Sequence, residues 1–197
     1  YKPGDILATL ALNTHRHLEA YYGISGIGAI THTLNFRLHP EQAVYIINHA
    51  EDKIIFVEAP FIPLLEALQD KIPSVEKFIV FCDKEEMPET SLKNCVSYEE
   101  YIEDGDDNFE WPKLPDDAAC GLCYTSGTTG NPKGVLYSHK STILHAISAA
   151  APKTLKVQPD DSSLVVVPMF HVMAWGVPYY APTVSYTHLT LPTSRSV

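Results

Sequence analysis

An α/β fold of mostly parallel sheets with flanking helices is what this sequence predicts, and three observations carry the expectation. Short β-branched and apolar runs alternate with helix-length amphipathic segments from Ile6 to Val167, the pattern of units in which a crossover helix joins two parallel strands. Gly, Pro and Asn fall between the segments, at Pro3-Gly4, Asn13, Pro40, Pro60 and Asn131-Pro132, where a chain must turn. The apolar fraction is 45% of 197 residues, enough for a real core.

Each element follows in order. Lys2-Pro3-Gly4-Asp5 is a turn, and Ile6 to Leu12 is an apolar strand bounded by Asn13. From His15 to Ala29, Leu18, Tyr21, Tyr22, Ile24 and Ile27 fit one helical stripe, and Gly23 and Gly26 are expected to let that helix approach a sheet closely. Ile30 to Leu34 is a second strand. Pro40 opens a helix whose Ala43, Val44, Ile47 and Ala50 share a face. Lys53 to Glu58 reads as a strand, Pro60 to Gln69 as a helix and Lys77 to Cys82 as a strand. Ser97 to Glu103 reads as a short helix with a capping-box pattern at Ser97 and Glu100. Residues 104–117 are acidic and Pro-rich, a solvated connection that Phe109 and Trp111 could order by packing down. Beyond it come a strand from Ala118 to Tyr124, another from Val135 to Ser138, a helix from Lys140 to Ala151 and a strand from Ser163 to Val167. The expected organisation is a first α/β subdomain at 1–103, the connection at 104–117, a second α/β subdomain at 118–183 and a tail at 184–197.

Composition excludes several functions. Fourteen basic against twenty-four acidic residues give a net charge of -10 without a Lys/Arg cluster, a poor match to nucleic acid. Of the four cysteines, Cys120 and Cys123 alone have ligand-like spacing, but on one strand they point to opposite faces. Core thiols in a reducing cytosol, and with them a cytoplasmic location, are the expectation, with no metal ligands assigned. The nearly uncharged run from Leu164 to Ala181 contains Pro168, His171 and Pro178, which suits a buried strand followed by a buried helix better than a membrane span.

Chemistry concentrates between Tyr124 and Gly134, Tyr-Thr-Ser-Gly-Thr-Thr-Gly-Asn-Pro-Lys-Gly. Gly127 and Gly130 let backbone N–H groups converge on phosphate oxygens, Thr125, Ser126, Thr128 and Thr129 add hydroxyls, and Lys133 adds a mobile charge. A plain hairpin turn would not need such a density of donors. A Walker A loop is excluded by spacing, because Lys133 follows Pro132 rather than glycine.

Leu122 to Lys133 resembles the signature loop of the adenylate-forming superfamily, which includes acyl-CoA synthetases, luciferases and peptide-synthetase adenylation domains. The resemblance runs from residue 1 to about 183, and implies a partial N-terminal domain of such an enzyme, with ATP and magnesium at the loop and CoA as co-substrate. In that family the loop holds the β- and γ-phosphates while a carboxylate attacks the α-phosphate, so Lys133 is assigned to catalysis. Pro168 to Gly176 resembles the next family motif, whose His and aromatic positions line the acyl and adenylate pocket; it assigns His171 to catalysis and to the substrate pocket with Met173 and Trp175. On residues alone, His171 could equally be a core histidine.

Amino-acid-activating relatives place Asp where His171 stands, so a substrate ammonium would lack its counter-charge. Met169, Met173 and Trp175 suit a hydrophobic tail. Leu12 to His17 and Thr31 to Asn35 further resemble the medium- to long-chain fatty-acyl-CoA synthetase branch. A fatty-acid CoA ligase is therefore the expected parent, with luciferase-like or aryl-acid chemistry and a non-catalytic or misfolded nucleotide-binding fragment as the alternatives. Val184 to Val197 resembles a translated sequencing adapter, so it is set aside as a non-native tail. Family elements for magnesium, ribose and the mobile C-terminal lysine are not found after Trp175, and the 197-residue chain by itself is expected to be inactive.

Overall fold

A computed structural model of the chain describes residues 1–106, 108–125, 131–151, 154–155, 162–183 and 188–190. Its centre is a seven-stranded sheet in the order β5-β4-β3-β1-β2-β6-β7. The strands are β1 (Ile6–Leu10), β2 (Ile30–Thr33), β3 (Ile54–Val57), β4 (Lys77–Val80), β5 (Cys95–Ser97), β6 (Ala119–Thr125) and β7 (Lys133–Ser138). All neighbours pair parallel from β5 to β6. β7 runs antiparallel to β6, so the two strands expected in succession around the Gly- and Thr-rich loop pair directly with each other. The two strands are joined by the short connection 126–132, which is too short for the crossover that a parallel pair requires.

Both faces of the parallel strands are covered, so successive residues are buried in turn rather than alternating with polar ones. Ala8, Leu10, Ile55, Val57, Phe78 and Val80 pack on α2 (Pro40–Ala50) through Ile46 and Ile47, and on α3 (Ile62–Leu68) through Leu65. On the other face Leu7, Ile54, Phe56 and Ile79 meet Ala20 and Ile24 of α1 (His15–Gly26) and Tyr98 of α4 (Tyr98–Ile102). Removing one such side chain, Ile54→Ala or Ile55→Ala, costs about 2–5 kcal/mol.

Local signals account for most boundaries. The Thr14 side chain caps α1 by accepting from the His17 amide, and Pro40 occupies the first turn of α2. The segment Pro60 to Gln69 is not one helix, since single 3-10 turns flank α3 on both sides. Ser97 accepts from the Glu100 amide as half of the expected box. A reciprocal box occurs instead at α5 (His139–Ala150), between Ser138 and Ser141. The expected strand from Ser163 to Val167 shortens to β8 (Ser162–Leu164), which pairs parallel with β9 (His188–Thr190) outside the main sheet. Nor is it buried throughout: Val165 is enclosed while Leu164 and Val166 lie on the surface.

The glycine expectation for α1 needs correction as well. Gly23 has open space beside it, whereas a Cβ on Gly26 would stand 2.1 Å from the Trp111 ring. Gly26 therefore seats the 104–117 connection on the end of α1, and does not bring the helix to the sheet. Trp111 rests there against Phe109, but both rings stay largely exposed. Among the described residues no helix is long and apolar enough to cross a membrane.

Candidate functional site

All six parallel strands end on one edge of the sheet, the edge where open α/β sheets gather ligands. β6 ends there at Thr125, and Lys133 opens β7 directly opposite it in the antiparallel ladder. Both are exposed. A hydroxyl and an ammonium thus flank the mouth of the 126–132 connection. Ser126, Gly127, Thr128, Thr129 and Gly130, the other residues expected to hold phosphate, lie outside the described residues.

The second motif is pinned to the same edge by Asn13 just past β1, by Thr33 at the end of β2 and by Tyr21 of α1. Asn13 donates its amide hydrogens to the carbonyls of Val165 and Val167, both at 2.9 Å, and its own carbonyl accepts from the Met169 amide at 2.7 Å. Tyr21 donates its phenol to the Met169 carbonyl, and Thr33 donates its hydroxyl to the Phe170 carbonyl at 3.0 Å. Phe170 then packs edge-on against Phe36, which stacks on Phe61. Sequence reasoning connected Asn13 and Thr33 with the branch of the family but gave them no role. Their partners in this motif lie more than 130 residues away along the chain, a separation no local pattern encodes.

After Phe170 the backbone winds through a left-handed turn, α6 (Val172–Trp175), with φ of 49°, 50°, 50° and 55° at four non-glycine residues. Each such residue costs about 1–2 kcal/mol, so the turn persists only because its surroundings hold it. Gly176, also left-handed, closes it, and His145 of α5 donates from Nε2 to the Trp175 carbonyl at 3.1 Å. Gly176 has to be glycine for a further reason, because a Cβ there would meet the His145 ring at 2.6 Å. Met173 is buried with its sulfur over Gly121 of β6, where a Cβ would come within 2.5 Å.

This arrangement leaves a cavity of about 1010 Å³ between β7, α5, α6 and α7 (Val177–Thr183). His171, Met173 and Trp175 all line it, together with Tyr137, Thr142 and His145. His171 is exposed rather than a core histidine. Lys133 is not among the lining residues, so the two sets of expected site residues occupy adjacent regions. They meet on β6: Cys123 faces the backbone of Val172 and Met173, two residues before Thr125. No carboxylate lines the cavity, which leaves nothing among the described residues to balance a substrate ammonium.

The cysteines of β6 are inert supports. Burial pushes both thiols up, with Cys123 beside the Thr33 hydroxyl and Cys120 beside that of Thr142, so neither is a nucleophile near neutral pH. Among the described residues no group of three or more His, Cys, Asp or Glu side chains could hold a metal ion.

Comparison with known proteins accords with this geometry. Residues 1–196 match the family described as AMP-binding enzyme. The chain is 47% identical over 190 residues to a medium-chain-fatty-acid–CoA ligase of Ectopseudomonas oleovorans, covering 96% of this chain and 35% of that protein. It is equally 47% identical over 190 residues to a 3-methylmercaptopropionyl-CoA ligase of Ruegeria pomeroyi, with the same coverage of 96% and 35%. Among solved structures, a long-chain-fatty-acid-CoA ligase from Archaeoglobus fulgidus superposes with a TM-score of 0.82 at 22% identity, over 96% of this chain and 36% of that one. The chain thus spans about a third of the length of these relatives.

Proposed function

The chain belongs to the AMP-binding enzyme family, and from that premise we propose that the whole protein activates a fatty acid with ATP and passes the acyl group to CoA. In the first step a carboxylate oxygen of the acid attacks the α-phosphorus, the bond to the β-phosphate oxygen breaks and pyrophosphate leaves. In the second the CoA sulfur attacks the acyl carbon and AMP departs. Repulsion between an anionic acid and a polyanionic nucleotide is the obstacle, and fixed donors remove it. Thr125, Lys133 and the intervening 126–130 segment are assigned to the β- and γ-phosphates, and the cavity at His171, Met173 and Trp175 to the acyl tail. Magnesium would travel with the triphosphate, the usual arrangement for an ion that keeps its waters and takes few protein ligands.

One observation carries the choice of a fatty acid. A cavity of about 1010 Å³, walled largely by apolar and aromatic groups and by no carboxylate among the described residues, lies against β7 at Tyr137, which pairs with Gly121 on the strand that leads into the phosphate loop. That is at the top of the range for small-molecule sites, roughly 300–1,000 Å³. A second reading, a short thioether acid, is favoured by the equal identity to the Ruegeria pomeroyi ligase.

ATP-pyrophosphate exchange by the full-length protein tests both. Exchange with octanoate or palmitate well above that with 3-methylmercaptopropionate is the expected result. Exchange only with the short thioether acid selects the second reading, and exchange only with an amino acid or an aryl acid overturns both. Lys133→Ala is expected to slow exchange by about a hundredfold, the usual effect of losing one charge-stabilising donor, while thioester formation from preformed acyl-adenylate changes less. Equal losses in the two half-reactions would make Lys133 structural.

A further inference from the structure

Tyr124 stands immediately before Thr125, and a polar cluster, part buried and part exposed, converges on its ring. The phenol oxygen lies 2.6 Å from His49 Nδ1 near the end of α2, and His49 in turn stacks on Tyr45. Against the ring itself, at 5.2 Å between centroids, packs His32 of β2. His32 is fully buried, with Nδ1 2.9 and 2.8 Å from the two carboxylate oxygens of an equally buried Asp52. A buried carboxylate is costly without a partner, so this pair holds β2 to the chain leaving α2. Glu51 makes the meeting possible: it ends α2 in the left-handed region at φ 58°, and turns Asp52 back under the sheet.

The far side of the Tyr124 ring bears on β7. Gly134, next to Lys133, faces Tyr124 across the ladder, and a Cβ there would lie 3.2 Å from Tyr124 Cζ and 3.1 Å from Leu122 Cδ1. The ring, carried by β6, therefore lies close against β7 beside Lys133. His32 Nε2 is buried and without a hydrogen-bond partner among the described residues. An apolar side chain at position 32 would fill this space at less desolvation cost, so the histidine is not explained by core packing.

We propose that Tyr124 is a positioning residue for the nucleotide: anchored to α2 by His49 and backed by the His32–Asp52 pair, it sets where Thr125 and Lys133 meet the triphosphate. This rests on the assignment of that loop to ATP. Coupling follows from it, because any shift of α2 relative to the sheet would reach the phosphate loop through one hydrogen bond.

Since changes at buried His32 or Asp52 endanger the fold, the test sits at His49, which is exposed, and at the Tyr124 hydroxyl. The affinity of the full-length protein for a non-hydrolysable ATP analogue, without acid or CoA, is measured for Tyr124→Phe, His49→Ala, the double variant and His49→Gln. Each of the first two is expected to weaken binding about fivefold, the effect of one lost hydrogen bond of ordinary strength. The double variant should be no weaker than either single one, as for two residues acting through one bond. His49→Gln, which still offers the phenol a partner, should recover most of the affinity. Unchanged affinity in both single variants overturns the proposal, even where their melting temperatures fall, and so does a double variant in which the two effects multiply. A wild type that binds the analogue with no measurable affinity overturns the loop assignment and this proposal with it.

Discussion

His17 shows how a residue of functional type can be purely structural. It is fully buried on α1, with Nδ1 2.7 Å from the Leu12 carbonyl and Nε2 2.9 Å from the Thr9 hydroxyl. Nδ1–H therefore donates and Nε2 accepts, which requires the neutral ring. Burial takes its pKa from 6.5 down to about 4. The unfolded chain then binds more protons between those limits, so the stability from His17 is complete above pH 6.5 and is lost as pH falls through that window to about 4. At about 1.4 kcal/mol per pH unit the difference is on the order of 3–4 kcal/mol. Asp52 and Glu58, both pushed up by burial, act with the opposite sign. Urea unfolding of wild type and His17→Gln between pH 7 and 4 separates the terms: the wild type should lose stability more steeply, and parallel curves would refute the assignment. At this scale the sequence was legible only where residue type and neighbours already decide the role. The His17 ring and Asn13 carry nothing in their local pattern that distinguishes a lock from a ligand, since their partners are set by tertiary packing. The exposed Thr125 and Lys133 stand out because Gly and Thr crowd around them.

Among the elements, β6 bears the most constraint. Gly121 accepts the Met173 sulfur, Cys123 meets Thr33, Leu122 packs with Ile30 and Ala50, and Tyr124 turns toward α2. Gly121→Ala would place a Cβ 2.5 Å from that sulfur and 3.1 Å from its methyl group. Met is flexible enough to yield, so the expected outcome is a folded protein, destabilised by about 1–3 kcal/mol as for other overpacked sites, with a raised KM for the acid and an unchanged KM for ATP. Initial-rate kinetics on the full-length variant check this; an effect on ATP alone would mean that Met173 does not shape the cavity proposed for the acyl tail. Helices and parallel strands were readable because their periods and caps are local. What escaped was β5, three residues long, and the exact reach of β8, where Leu164 and Val166 look like core in composition and are surface in fact. The α6 turn was equally invisible, for nothing in Val-Met-Ala-Trp announces a left-handed backbone that its own residues disfavour.

For the whole molecule, alternation sufficed to anticipate the class of fold, whereas the strand order did not follow from it. β1 lies between β2 and β3, so the chain winds outward in one direction through β4 and β5, then returns past the finished strands to lay β6 beside β2. The 104–117 connection belongs to that return path. It settles on Gly26 through Trp111 and on Gly28 through Leu114, contacts that its acidic, Pro-rich composition does not suggest.

That return journey has a consequence in time. The strands β1 to β5 pair among near neighbours in sequence, while β6 must find β2 across the loop that separates Thr33 from Gly121. Closing so long a loop is entropically slow, so the hairpin carrying Thr125 and Lys133 should join a sheet already assembled. Pulse-labelled hydrogen exchange during refolding would show it: amides of β1, β3 and β4 should gain protection before those of β6, and simultaneous protection would count against the order. A protein folding in this order closes the hairpin at Thr125 and Lys133, the proposed site for ATP, only after the strands behind it, so during synthesis the proposed grip on the nucleotide would come into being once that scaffold is secure.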